Sequence, residues 1–341
     1  MRVLVLNPGA NFSVTDVARG WTRALERLTP TLALNLEDRL FVAANSRLPY
    51  QGDENDLRLA WDWQGAVRHV QDQILAAVWR AKPDIVLVIS GFFVHPDTLD
   101  LIRERAKTVL LCTESPYQDD QQLEWAAHYD VTLLNDPTNI ERFAAVSPLV
   151  RYVPHSYDPT VHHPGPAVAG CESDCVIVGT GYPSRIKFLE QVDWTDIDLA
   201  LLGNWTGLAD HRLGWSVRHP IERQGFDNDE AVGYYRSSRS SLNLYRTEAD
   251  SPDLSAGWSM GPREVELAAT GTFFLTGERG ENREVLPFVP LIESPDALGD
   301  ALRWWLAHER ERDKVVLKAR ETLAGWTFEN RARSLMGLLE S

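Results

Sequence analysis

Short runs of consecutive apolar residues alternate along the whole chain with stretches whose apolar positions recur every three to four residues. The first pattern is that of strands buried on both faces; the second is that of helices packed by one side. In the first half, apolar runs predict strands over residues 3–6, 32–35, 85–90, 109–112, 131–135 and 149–153. Helical periodicity predicts helices over 14–28, 57–81, 96–105 and 139–145, with Pro83 marking the switch from helix to strand before Ile85. Residues 36–56, rich in Asp, Asn and Gly, read as an irregular, mobile loop over a cleft.

Near residue 155 the texture changes. Pro154-His155-Ser156-Tyr157-Asp158-Pro159 and His162-His163-Pro164-Gly165-Pro166 make an extended, Pro-rich connection, the linker candidate of the chain. A second series then predicts strands over 174–178, 199–202, 241–245 and 272–275. Its helices fall over 185–191, 229–237, 262–269, one long stretch from about 297 to 323, and a last one over 329–339. Alternation of this kind predicts an α/β fold with largely parallel sheets, in two successive domains. A chain of 341 residues is long enough for each domain to bury its own core.

Charge narrows the possible partners. The formal net charge is −15, and the acid excess is shared: residues 1–165 hold 15 Lys/Arg against 21 Asp/Glu. A protein held mainly to nucleic-acid phosphates shows the opposite balance. That argues against a pure DNA- or RNA-binding module but leaves room for an enzyme with a local groove. The three cysteines (Cys112, Cys171, Cys175) form no paired framework, so structural thiols in a reducing, cytoplasmic setting are expected. The run at 3–6 is too short for a secretory h-region and reads as a first strand, and no apolar run is long enough to cross a bilayer.

Candidate chemistry gathers at expected strand ends. Gly179-Thr180-Gly181 links a strand to a helix opened by Arg185; its glycines either let backbone approach a phosphate at the helix N-terminus or simply make a tight turn. Tyr245 and Arg246 close another strand, and Arg263 follows a Ser/Gly-rich loop. Together Arg185, Arg246 and Arg263 would place positive charge on a diphosphate; singly, each reads as a surface charge. Gly261 to Gly271 reads as a short helix carrying the carboxylate of Glu266 on an Ala-rich face, then a Gly turn into a buried strand.

In the first half, Asp16 and Glu114 are candidate general bases, Asp16 serving equally well as a helix-start carboxylate. Asp119 and Asp120 are expected in solvent. Phe12, Phe92 and Tyr117 are the aromatic candidates for an acceptor pocket. Asp227-Asn228-Asp229 imitates a metal-binding Asp-x-Asp but is better explained as an N-cap cluster, and the histidines have no metal-ligand spacing, so no metal is expected. Of the twelve Trp, Trp61, Trp63, Trp79, Trp304 and Trp305 are expected to be core or packing residues.

These segments, in this order, resemble the spore-maturation (CgeB-type) family of glycosyltransferases. The resemblance rests on Ser90-Gly91-Phe92-Phe93, Thr113-Glu114-Ser115-Pro116-Tyr117, Asn135-Asp136-Pro137 and Pro154 to Pro159. It continues through Val178 to Arg185, Asn243-Leu244-Tyr245-Arg246, Pro262-Arg263 with Glu266 and Gly271, and Thr327-Phe328 with Arg331. It implies the GT-B architecture: two Rossmann-like domains facing across a cleft, with a C-terminal helix returning toward the first.

The boundaries that follow are an acceptor-side domain at 1–165, a donor-binding domain at 166–322 and a closing helix at 323–341. The resemblance further implies a nucleotide-diphosphate sugar, UDP-sugar first, as co-substrate. Glu266 would grip the ribose hydroxyls; Gly179, Thr180, Gly181, Arg185, Tyr245, Arg246 and Arg263 would meet the rest of the donor. Asp16 or Glu114 would take the proton of an acceptor hydroxyl on a small molecule, a polysaccharide precursor or a modified DNA base. Related transferases carry a second Glu two helical turns before the ribose-binding one, and around Trp258 and Ser259 this chain has none. Retention or inversion therefore stays open. A catalytically silent nucleotide-sugar-binding protein and an epimerase of the same fold are the rival readings.

Overall fold

The structure, a computed structural model, describes residues 1–9, 14–223, 225–248 and 256–340. The chain divides into two compact units, one of residues 1–153 with 335–341 and the other of residues 154–334.

The first unit is built on a six-stranded parallel sheet of order β2-β1-β5-β6-β7-β8. Its strands are β1 (Val3–Leu6), β2 (Thr31–Leu34), β5 (Ile85–Ile89), β6 (Lys107–Cys112), β7 (Val131–Leu134) and β8 (Val150–Tyr152). Every residue of β1, β5 and β7 is buried, as continuous apolar runs require of strands covered on both faces. Helices α1 (Thr15–Leu28), α3 (Trp63–Ala81), α4 (Pro96–Arg103), α5 (Asp119–Ala126) and α6 (Ile140–Ala144) make the crossovers. The helix α3 stops because Lys82 turns left-handed (φ 47°) just before Pro83.

Residues 36–56 are not an irregular loop. They form α2 (Leu36–Asn45) and most of an antiparallel hairpin, β3 (Arg47–Tyr50) with β4 (Asp53–Leu59). Asn35 caps α2, its Oδ1 accepting from the Glu37 N–H at 3.0 Å. Gln51 and Gly52 both take positive φ (53° and 82°), the signature of a tight two-residue hairpin turn. The residues expected to begin the long helix, 57–59, belong to β4, and Asp62 caps α3 instead by accepting from the Gly65 N–H.

The second unit has the parallel order β10-β9-β11-β12, with β9 (Cys175–Val178), β10 (Leu199–Leu202), β11 (Ser241–Asn243) and β12 (Phe274–Thr276). Single parallel bridges from Leu201 to Val217 and from Thr276 to Leu291 extend both edges. The chain therefore runs to one side of β9 and then crosses to the other, placing a topological switch point between β9 and β11. Alternate strand residues feed two cores: Cys175, Ile177, Leu199 and Leu201 on one face, Val176, Val178, Ala200 and Leu202 on the other. The helices are α7 (Pro183–Leu189), α8 (Asn228–Ser237), α9 (Pro262–Thr270), α10 (Gly280–Val285), α11 (Pro295–Ala307) and α12 (Glu309–Thr322); α13 (Phe328–Glu340) starts in this unit and ends in the segment counted with the first.

The single long helix expected over 297–323 is two helices, broken at His308 (φ −113°, ψ 65°). Arg312 reaches back to the Trp305 and Leu306 carbonyls, satisfying the end of α11 without Gly or Pro. The tryptophans also depart from expectation. Trp61, Trp63, Trp79 and Trp304 are exposed, while Trp21 and Trp205 are buried, the Trp205 indole N–H donating to Leu202 O at 3.0 Å. Periodicity places such residues on a helix but does not by itself turn their face inward; Trp79, for one, lies under the guanidinium of Arg105. Among the described residues no helix is long and apolar enough to cross a membrane.

Between α7 and β10, Asp193 accepts from the Thr195 hydroxyl and N–H and from Arg303, which together hold its carboxyl down at about 2. A depressed carboxyl contributes stability above its unfolded pKa of about 4 and loses it as pH falls through the folded value. Asp193→Asn is therefore expected to melt below wild type at pH 6, with the gap closing between about pH 4 and pH 2. Melting curves across that range check this; a constant gap would contradict it.

Candidate functional site

The C-terminal ends of the second unit's strands converge on the switch point, where sheets of this type bind ligands. After β9 the chain passes through Gly179 (φ 153°), and after β10 through Gly203 (φ 113°). The two loops touch: a Cβ on Gly203 would lie 2.2 Å from the Gly179 carbonyl oxygen. A Cβ on Gly181 would lie 2.5 Å from the Trp205 ring. Gly203 and Gly181 thus need to be glycine for packing. Gly203→Ala is expected to cost about 3 kcal/mol or more through clash and strain, read as a lower urea midpoint.

Arg185 donates to Thr180 O at 2.6 Å and to Leu244 O, tying the loop after β9 to the end of β11. Arg246 donates to the Tyr182 hydroxyl at 3.1 Å. The start of α7, where the sequence placed a phosphate, holds the carboxylate of Glu248, which accepts from the Ser184 N–H and hydroxyl at 3.0 Å each. Partial burial pushes that carboxyl up, but the donors around it outweigh burial and hold it below the usual range. A ligand phosphate at this point would have to displace Glu248.

Helix α9 carries two buried carboxylates two residues apart, hence on opposite sides. Glu264, fully buried, turns to the sheet. It accepts from the Tyr245 hydroxyl, from the Gly261 N–H at 2.7 Å, from the Thr276 hydroxyl at 2.8 Å and from Asn282 Nδ2 at 3.0 Å. Burial pushes the Glu264 carboxyl up while these four donors pull it back. Burial, then the neighbouring Glu264 carboxylate, raises the Tyr245 phenol well above its ordinary value. Tyr245 therefore ends in a buried polar network, with the Arg279 guanidinium 4.4 Å over its ring.

Glu266 turns the other way, toward α8. Its Oε1 accepts from Asn228 Nδ2 at 3.0 Å and its Oε2 from Arg263 Nη1 at 2.8 Å. Arg263 also donates to the Tyr235 hydroxyl. His162 Nε2 lies 4.0 Å from Glu266 Oε1, and the imidazole is almost fully buried. The structure thus brings Arg263 and Glu266 together and puts Arg185, Tyr245 and Arg246 around the switch point. The negative carboxylate of Glu266 is matched by one cation and one amide, leaving acceptor capacity on both oxygens.

Several residues of this site escape a reading of the sequence. Glu264 is signalled by its spacing from Gly261, the N-cap-to-N3 interval of a capping box. Asn228, the second residue of the Asp-Asn-Asp run, is the first residue of α8, and Asp227, at the N-cap, makes no side-chain bond to the helix N–H groups. Glu281 of α10 accepts from the Met260 N–H at 2.8 Å, so a buried carboxylate does reach the stretch that lacks one in sequence. Among the described residues no group of three or more His, Cys, Asp or Glu is arranged to hold a metal.

In the first unit the switch point lies between β1 and β5. Phe93 packs on Gly9, where a Cβ would meet its ring at 2.4 Å, and Phe92 is half-buried beside it in sequence. Asp16 sits in the first turn of α1, 3.5 Å from Arg19. Phe12 lies outside the described residues. Glu114 and Tyr117 are half-buried on the segment after β6.

Asp119 is not solvated. It is fully buried and accepts from Ser115 Oγ at 2.6 Å and Asn139 Nδ2 at 2.8 Å; Asp120, by contrast, pairs with Arg142 at the surface. Asn135 locks the same loop by accepting from the Ser115 N–H and donating to its carbonyl. With Thr113 Oγ1 3.1 Å from Ser90 Oγ on its other side, Glu114 lies between residues held by buried hydrogen bonds. Cys112 and Cys175 are buried strand thiols, and burial pushes Cys175 up to about 12.

Residues 185–337 match the model of the glycosyl transferase-like family. No curated protein sequence matches the chain. In fold it is similar to sucrose-phosphate synthase from Thermosynechococcus elongatus (13% identity, TM-score 0.65, covering 100% of this chain and 98% of that one). It is also similar to Anabaena HepE in complex with UDP-glucose (9%, TM-score 0.64, 99% and 100%). A third similar structure is described as a UDP-N-acetylglucosamine 2-epimerase from Listeria monocytogenes (11%, TM-score 0.60, 100% and 96%). The chain therefore has the α/β, parallel-sheet fold of GT-B glycosyltransferases. Its second half carries the glycosyl transferase-like sequence pattern.

Proposed function

We propose that the protein is a cytoplasmic glycosyltransferase of the spore-maturation (CgeB-type) kind, moving a sugar from a nucleoside-diphosphate sugar to an acceptor hydroxyl without a metal. The observation that carries this is the buried Glu266 on α9, bonded to Arg263 and Asn228 beside the strand ends of the unit that matches the family model. A carboxylate with spare acceptor capacity is suited to a vicinal diol such as a ribose, and the arginine next to it to a diphosphate. Charge grows on the departing diphosphate in the transition state, so Arg263 and, once Glu248 is displaced, the Gly179–Gly181 loop would contribute most there. Residues 166–322 would form the donor side, with Arg185, Tyr245 and Arg246 completing it, and residues 1–165 the acceptor side. Asp16 or Glu114 would take the acceptor proton, and Phe12, Phe92 and Tyr117 would line the acceptor. That acceptor is a small molecule, a polysaccharide precursor or a modified DNA base; the net charge of −15 disfavours an extended DNA footprint.

A thermal-shift panel of nucleoside diphosphates and their sugars, UDP first, tests the reading. A ligand present at 100 times its Kd stabilises by about 2.7 kcal/mol, an easily measured shift. Slow donor hydrolysis without acceptor would then mark a transferase, and an isomerised nucleotide sugar the epimerase that one structural relative suggests. Tight binding with neither product would mark a silent binding protein. No shift with any nucleotide would contradict all three.

A further inference from the structure

The imidazole of His162 has the least satisfied environment near Glu266. The ring is 4% exposed, and neither of its nitrogens makes a well-formed hydrogen bond among the described residues, the backbone of Asp158 being the one hydrogen-bonding group that acts on it. A buried polar group without a good partner destabilises the fold unless something else compensates. The turn that carries it is tightly built: the His162 N–H donates to Asp158 O at 2.8 Å, and Asp158 Oδ1 accepts from the Thr160 N–H and hydroxyl. The ring is thus held 4.0 Å from Glu266 Oε1, too far for a bond yet within a side-chain adjustment of one.

We propose that His162 is a positioning residue for Glu266: when Arg263 turns to the phosphates of a bound nucleoside diphosphate, His162 takes up a proton and holds the carboxylate in its place. This rests on the reading of Glu266 and Arg263 given above. The charged groups acting on the ring are Glu266 and Arg263 of α9 and Asp158 of its own turn; α8 brings the neutral Asn228 and the Tyr235 hydroxyl to the same cluster. In the unliganded arrangement burial, reinforced by Arg263, outweighs the pull of Glu266 and holds the imidazole below its ordinary value, so it is neutral at neutral pH. Withdrawing Arg263 removes a repelling cation from His162 and the counter-charge from Glu266. Both changes favour the imidazolium, whose Nε2–H would donate to Oε1. The proton comes from solvent and forms the second ring N–H bond; no bond between heavy atoms is made or broken.

Calorimetric titration of the whole protein with UDP, in two buffers of different ionisation enthalpy near pH 6.5, reads this directly. Wild type is expected to take up about half a proton more than His162→Phe on binding. Its affinity should rise by about three- to tenfold from pH 8 to pH 6, a slope the variant loses. The Phe ring suits a dry pocket, and His162→Gln, which keeps polarity without titrating, gives the same readout if Phe perturbs folding. Equal proton uptake by wild type and both variants, with UDP still bound, would overturn the role of His162 and leave the donor site standing. No binding of UDP, ADP or GDP to wild type would overturn the donor-site reading and this proposal with it.

Discussion

Replacing Glu266 with alanine is expected to weaken binding of UDP, or of whichever nucleoside diphosphate the protein takes, by about ten- to a hundredfold. A hydrogen bond to a charged group contributes about 1.5–3 kcal/mol, and each 1.4 kcal/mol is a factor of ten in Kd. The substitution removes the acceptor for the ribose hydroxyls and also frees Arg263 from its partner at 2.8 Å. Freeing Arg263 would by itself favour an anionic ligand, so a large net loss means that the ribose contact outweighs it. Glu266→Gln separates the two effects. It keeps one oxygen for a hydroxyl while discarding the charge, and an intermediate loss is expected. Calorimetric titration, with a melting curve to show that each variant is folded, makes the comparison.

Glu264→Ala should act on stability first and ligand second. Four donors lose their acceptor in a fully buried place: the Tyr245 hydroxyl, the Gly261 N–H, the Thr276 hydroxyl and the Asn282 amide. Each unsatisfied group costs about 1–3 kcal/mol, and after local relaxation a total of about 4 kcal/mol is expected. For a unit of this size that corresponds to a fall in melting temperature on the order of 10 °C. Glu264→Gln would put an amide N–H₂ against groups that are themselves donors, so it should recover only part of the loss. If both variants melt with wild type, the network does not hold the start of α9 in place. The two neighbours differ in kind: the sheet-facing carboxylate is expected to move Tm, and the one facing α8 to move Kd.

What the chain discloses by itself follows from where its elements sit. The strands β1, β5, β9 and β10 are legible because burial on both faces leaves an unbroken apolar run, and β6 and β7 because theirs is broken only by Lys107, Thr108 and Thr132. The hairpin β3–β4 is not, because nearly all of its residues are exposed and no alternation survives. Its turn, Gln51-Gly52, is the one local signal. The break at His308 is hidden for a different reason: Arg312 closes α11 from the next helix, so the sequence carries neither Gly nor Pro there.

The same division holds at the candidate site. Glu266 stands out as a carboxylate on an apolar, Ala-rich helix, but its partners arrive from far away in sequence: Asn228 from 38 residues before and His162 from a turn within the linker segment. Asp119 reads as solvated because it begins an acidic pair; only the fold brings Ser115 and Asn139 to it. Conversely, Gly179 and Gly181 invite a phosphate, but in the structure Gly181 makes room for the Trp205 ring and the Gly179 backbone is packed on by Gly203. Local composition reports which side chains are unusual. It does not report what they meet.

On the proposed function, the unit spanning residues 154–334 receives a nucleoside diphosphate with its ribose on Glu266. The most direct test is a crystal structure of the protein with UDP bound. Ribose hydroxyls are expected within hydrogen-bond distance of the Glu266 carboxylate, with Arg263 turned onto the phosphates. Nucleotide bound elsewhere, with Glu266 still paired to Arg263 and Asn228, would contradict it.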